Sequence, residues 1–202
     1  MSQPLTPAQE RVLGLLARHL FDDVPAHLKT YCAVSSAICQ AVLRHFGIAA
    51  ELQPCQIWHV SGKRNHVIGF LGRPPKPHCW DGHVVCRAGH HLLDAATQHF
   101  EVQFGLQVPW VTVVPMIELP TQMLARSELA SGAQLWWLRP PPGFDPTPPH
   151  EPDELVQEHA ERLIARLRRE LPDMPAAPWP GYRADPFGPA LQTRLRPHNP
   201  RP

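Results

Sequence analysis

An α+β fold with a largely antiparallel sheet is what this sequence predicts. Helical periodicity dominates up to Gly47. From Ile48 onward the apolar residues fall into short strand-like runs, separated by Gly- or Pro-rich breaks. Helices first and strands afterwards favour segregated layers over an alternating, parallel arrangement. With 202 residues the chain is large enough to bury a core of its own.

The elements follow in order. Thr6-Pro7 with Glu10 reads as an N-cap, a Pro at the first helical position and an acidic first turn. Val12, Leu13, Leu15, Leu16 and Leu20 give this helix its apolar stripe, and Asp22-Asp23-Val24-Pro25 breaks it. A second helix is predicted from about Thr30 to His45. Val34, Ala37, Ile38, Ala41, Val42 and Phe46 recur there at three- and four-residue steps. Gly47 supplies the stop. So apolar a helix belongs at the centre of the core. Strands are predicted at Ala50–Val60, Val67–Leu71, His83–Arg87, His91–Asp94, Trp110–Ile117 and Gln134–Leu138, with a short helix around Thr121–Leu129. Sixteen of the 26 prolines lie at or after Pro140. The organisation is therefore a core over 1–139, an extended Pro-rich linker over 140–152, one helix over 153–171 and an irregular Pro-rich tail over 172–202.

Composition narrows the function. Lys+Arg is 19 and Asp+Glu is 18, a formal charge of +1. That balance argues against a nucleic-acid surface. The most basic stretch, Arg162 to Arg169, alternates with Leu163, Ile164, Ala165 and Leu167, as the solvated face of an amphipathic helix does. No apolar run nears the roughly 18 residues that suggest a membrane span. Met1 to Pro7 lacks a basic and apolar leader pattern, so no secretory signal is expected. Five cysteines, an odd number, suggest reduced thiols in a cytoplasmic protein. No phosphate-binding glycine loop is present, and no cofactor is expected.

Three residues stand in contexts that acyl-transfer chemistry needs. Cys32 opens the apolar helix in Tyr31-Cys32-Ala33-Val34-Ser35-Ser36. A helix N-terminus and a nearby imidazolium both favour a thiolate, and the backbone N–H of such a cysteine is a natural oxyanion donor. His83 begins a strand in Trp80-Asp81-Gly82-His83-Val84-Val85, and Asp94 ends another in His91-Leu92-Leu93-Asp94. A histidine working as base and then acid needs its tautomer fixed by a carboxylate. A hairpin turning near Ala88-Gly89 would set His83 and Asp94 on adjacent strands. Cys39, inside the stripe, reads as a small buried hydrophobe.

The run from Cys32-Ala33-Val34-Ser35-Ser36 through Phe46-Gly47-Ile48 resembles the nucleophile helix of bacterial transglutaminase-like proteins. These belong to the papain-like cysteine superfamily, to which arylamine N-acetyltransferases are related. Trp80-Asp81-Gly82-His83 is similar to their Trp-x-Gly-His strand, and Leu92-Leu93-Asp94-Ala95-Ala96-Thr97-Gln98 to their acidic strand. The likeness spans Tyr31 to Phe100, about a third of the chain. It implies a papain-like core with the nucleophile helix packed on the sheet. It also implies Cys32 as nucleophile, His83 as general base and acid, and Asp94 as orienting carboxylate. Tyr31 departs from the polar residue common there, and the resemblance does not account for the region after residue 139.

Other constellations compete. Cys79, His83, Cys86 and His90 or His91 could hold a tetrahedral zinc, but no second ligand pair follows and strand alternation turns them to mixed faces. No metal is expected. His59, His66 and His99 read as ordinary polar or surface residues. Trp58, Trp80, Trp110, Trp136 and Trp137 read as core residues with satisfied indole N–H groups or as walls of an acyl or aromatic pocket. Trp80, three residues before His83, is the one assigned to substrate. The sequence therefore predicts a cysteine-dependent amide or peptide hydrolase, or an acyltransferase, acting through a thioester. Its partners would be peptide, amide or small acyl substrates, not nucleic acid or membrane. A non-catalytic binding or scaffolding protein on the same fold is the alternative, and a zinc-bound structural module a third. The oligomeric state is not legible.

Overall fold

A computed structural model describes residues 4–25, 31–62, 64–72, 80–117, 122–148 and 153–174. Helix α1 (Pro7–Asp23) begins as its sequence dictates. Thr6 Oγ1 accepts from the Gln9 backbone N–H, and Gln9 Oε1 accepts in return from Thr6 N–H. Helix α2 (Cys32–His45) is buried at every position from Ala33 to Leu43. Thr30, its expected start, lies outside the described residues.

The strands are β1 (Ala50–Ser61), β2 (Arg64–Ile68), β3 (His83–Ala88), β4 (His91–Asp94), β5 (Thr112–Pro115), β6 (Met123–Glu128) and β7 (Gln134–Leu138). Every pairing is antiparallel, in the order β5-β4-β3-β1-β7-β6, with β2 beside β1. A bridge between Met116 and Ala125 joins the two ends and nearly closes the sheet. The long strand β1 makes this possible. Its first half, Ala50 to Cys55, pairs with β3, and its second half, from Gln56, pairs with β7.

The core has two parts. One lies between sheet and helices and joins α1, α2 and the last helix α4 (Asp153–Glu170) to Ala50, Cys86, Ala88 and Leu93. The other is enclosed by strands and includes Cys55, Ile57, Val85, Leu92, Phe100, Leu135 and Trp137. The α+β architecture with a mostly antiparallel sheet stands as predicted.

Three local expectations do not. The helix expected around Thr121–Leu129 is strand β6, paired with β7, while Thr121 itself lies outside the described residues. Met, Leu, Ala, Arg and Glu favour helix, but burying Leu124 and Ala125 in the sheet overrides that weak preference. The strand expected to reach Leu71 ends at Ile68, because Gly69 and Phe70 both take positive φ, +84° and +56°. A short helix, α3 (His99–Phe104), closes on Gly105 where none was expected. Of the Pro-rich linker, the residues up to 148 are described and carry no helix or strand, and the tail beyond 174 lies outside the described residues.

Candidate active site

Hairpin β3–β4 turns through Gly89, φ +54°, with Ala88 opposite His91. This sets His83 and Asp94 side by side. His83 Nε2 lies 2.8 Å from Asp94 Oδ2, and both residues are buried. The carboxylate has two further donors. Trp137 Nε1–H, from β7, donates to the same Oδ2 at 2.8 Å. The Ala96 backbone N–H donates to Oδ1 at 2.9 Å. Thr97, next in the chain, anchors the segment by donating its hydroxyl to the Pro109 carbonyl.

The electrostatics follow from this geometry. Burial alone would raise the Asp94 carboxyl pKa. The charge of His83 and the hydrogen bonds from His83, Trp137 and Ala96 outweigh it and hold the group below the usual carboxylate range. Burial alone would likewise lower His83. The Asp94 charge, its hydrogen bond and the Cys32 thiol together raise the imidazole to about 10.

Cys32 is the first residue of α2, and the helix has no side-chain cap at Tyr31. Its first-turn N–H groups therefore receive no partner from a capping side chain. The helix is fastened one turn in, where Ser36 Oγ–H donates to the Val84 carbonyl at 2.9 Å. Opposite Val84 on β1 stands Pro54, which has no N–H to give. This bond ties the turn beneath Cys32 to the residue beside His83. The Cys32 thiol is among the groups that raise the imidazole, while the second ring nitrogen, Nδ1, is buried without a hydrogen-bond partner.

Cys32 is also set apart from the other described thiols. It is partly exposed, whereas Cys39, Cys55 and Cys86 are buried. Burial pushes all three upward, Cys86 to about 12. Cys55 is the Cα partner of His83 across β1–β3, so it is near the site but enclosed.

The remaining sequence candidates are placed as follows. Trp80 is half-buried, with its ring 5.6 Å from that of Phe70. Gly82 allows this, because a Cβ there would sit 2.1 Å from Trp80 Cζ2. Trp58, Trp110 and Trp136 donate their indole N–H groups to Gln56, Glu101 and Gln134. His59 is buried against Phe100, with its pKa lowered first by burial and then by His66. His99 is half-buried rather than a surface residue, and its ring lies edge-on to His83 at 6.3 Å. Cys86 points into the helix-side core, Cys79 is outside the described residues, and no three potential ligands converge among the described residues.

Sequence reasoning missed Ser36 and His99 as parts of this site, and it weighed Trp137 as a core or pocket residue without pairing it with Asp94. Trp137 carried a signal, since a buried indole must place its N–H somewhere. Which acceptor it finds depends on β7 reaching β4 across the sheet. Among the described residues no helix is long and apolar enough to cross a membrane. No family model, curated protein or solved structure matches this chain.

Proposed function

We propose that this chain is a cysteine-dependent amide or peptide hydrolase, or an acyltransferase, with Cys32, His83 and Asp94 as its catalytic groups on a papain-like core. The observation that carries the proposal is the buried Asp94–His83 pair, to whose strand the helix headed by the partly exposed Cys32 is tied through Ser36 and Val84. Asp94, saturated by donors, stays ionised and holds His83 as imidazolium. His83 in turn favours the Cys32 thiolate. The four described free thiols suit a reducing compartment, and we place the protein in the cytoplasm.

The reaction balances as follows. The Cys32 thiolate attacks a carbonyl carbon and forms a C–S bond. The oxyanion is met by N–H groups at the start of α2. His83 gives its proton to the leaving amine, the C–N bond breaks, and a thioester remains. Water or a second amine attacks the thioester and returns a proton to His83. The product is an acid or a new amide, and the thiolate is restored.

The test is iodoacetamide labelling followed residue by residue with mass spectrometry. Cys32 should label at least about ten-fold faster than Cys39, Cys55 and Cys86. His83→Ala should abolish that advantage, and Cys32→Ser should keep the fold and lose any acyl-enzyme. Equal, His83-independent labelling would instead indicate a binding protein on this fold.

A further inference from the structure

Phe70 is the only described non-glycine residue with positive φ, at +56°. A bulky residue held there is strained, and such strain gathers where function needs a particular placement. Phe70 is held firmly. Its N–H donates to the Asp81 carbonyl. The buried Gln56 side chain donates to the Gly69 and Phe70 carbonyls at 3.0 and 3.4 Å. Gly69, the residue before it, lies flat on the catalytic histidine, since a Cβ there would come within 2.8 Å of His83 N and 3.0 Å of His83 Cβ.

This placement gathers aromatic groups against the segment that leads into His83, since the Trp80 ring lies over Gly82. The Phe70 ring, itself buried, meets Trp80 at 5.6 Å and 86°, and Phe144 at 5.9 Å and 80°. Phe144 comes from the Pro-rich segment after β7 and is 36% exposed. Leu71 and Tyr31, next in sequence to Phe70 and to Cys32, are 53% and 56% exposed. Large apolar side chains left in water are available to a ligand.

We infer that Phe70, Trp80 and Phe144 form the subsite for the acyl donor, and that it takes an aromatic or bulky apolar group next to the scissile carbonyl. The inference rests on the acyl-transfer reading of Cys32 and His83. It assigns a role to Phe144 and to the segment carrying it. An ionised substituent set against these uncharged rings would lose hydration, so a carboxylate at this position is disfavoured by desolvation.

Three chloromethyl ketones test it, those of N-acetyl-phenylalanine, N-acetyl-alanine and N-acetyl-glutamate. Each forms a C–S bond to the Cys32 thiolate with loss of chloride. Rates of Cys32 alkylation are read by mass spectrometry and normalised to iodoacetamide labelling of the same variant. The phenylalanine probe should exceed the alanine probe about ten-fold or more, and the glutamate probe should be slowest. Phe144→Ala should reduce the phenylalanine-to-alanine ratio about three-fold or more, with Phe144→Leu retaining part of it. Activated Cys32 with equal probe rates, or a ratio unmoved by Phe144→Ala, overturns the subsite alone. Slow, His83-independent iodoacetamide labelling overturns the acyl-transfer reading and the subsite with it.

Discussion

Asp94 decides the state of the site at the level of single residues. One buried oxygen, Oδ2, accepts from both His83 and Trp137, and Oδ1 is held by the Ala96 backbone. Three donors make protonation of this carboxylate unfavourable, so the proton of the pair resides on His83. The pair links stability to pH. His83, raised from 6.5 to about 10, binds protons more tightly in the folded state. Its contribution is full below 6.5 and is lost as pH climbs towards 10. Asp94, held below 3.8, contributes fully above 3.8 and loses its share as pH falls through its folded value. Wild type should therefore be less stable at about pH 9.5 than at about pH 5.5. Asp94→Asn should cost about 3–5 kcal/mol at the lower pH, having broken a buried pair, and should flatten the alkaline slope. Urea melts at the two values check this, and an unchanged slope would show that His83 is not the group responsible.

The elements position these residues by contacts that local sequence only partly announces. Cys32 at the head of α2, Gly47 at its foot and the β3–β4 turn at Gly89 follow from apolar period and turn chemistry. The tie from Ser36 to the Val84 carbonyl and the approach of Gly69 to His83 do not. Both join segments distant in sequence. Gly69 is required twice, by its φ of +84° and by the 2.8 Å that a Cβ would leave to His83 N. A Cβ added at Gly62, φ +57°, would meet nothing within 4 Å beyond its chain neighbours, so this glycine serves as control. Gly69→Ala should cost about 2–4 kcal/mol and slow Cys32 labelling, whereas Gly62→Ala should cost only about 1 kcal/mol and leave labelling intact. Equal effects in thermal melts would mean that backbone conformation, not the contact with His83, explains both.

For the whole molecule, α4 is part of the structure that carries the site. Val156, Ala160, Leu163, Ile164 and Leu167 enter the same apolar cluster as α1 and α2. Arg166 reaches Asp23 on α1 at 3.0 Å, and Arg168 donates to His45 on α2 at 3.1 Å. Leu163→Ala should destabilise the fold by about 2–5 kcal/mol and shift a single unfolding transition seen by every probe. A change confined to helical signal, with the Cys32 region melting as before, would make α4 a separable appendage.

The sequence by itself determined the helices α1, α2 and α4, the strands β1, β3, β4 and β7, and the order in which Cys32, His83 and Asp94 arrive. Each rests on apolar period, capping or turn residues, which act over a few positions. The tertiary structure alone decided that β6 is a strand and that Phe70 takes a left-handed conformation. It also decided that Trp137 holds Asp94 and that Phe144 lies against Phe70. The physical reason is the same in each case. Pairing with β7, the hydrogen bonds of Gln56 and the near-closure of the sheet join residues beyond the few positions over which local preferences act. Their free energy exceeds the local preferences that a sequence displays.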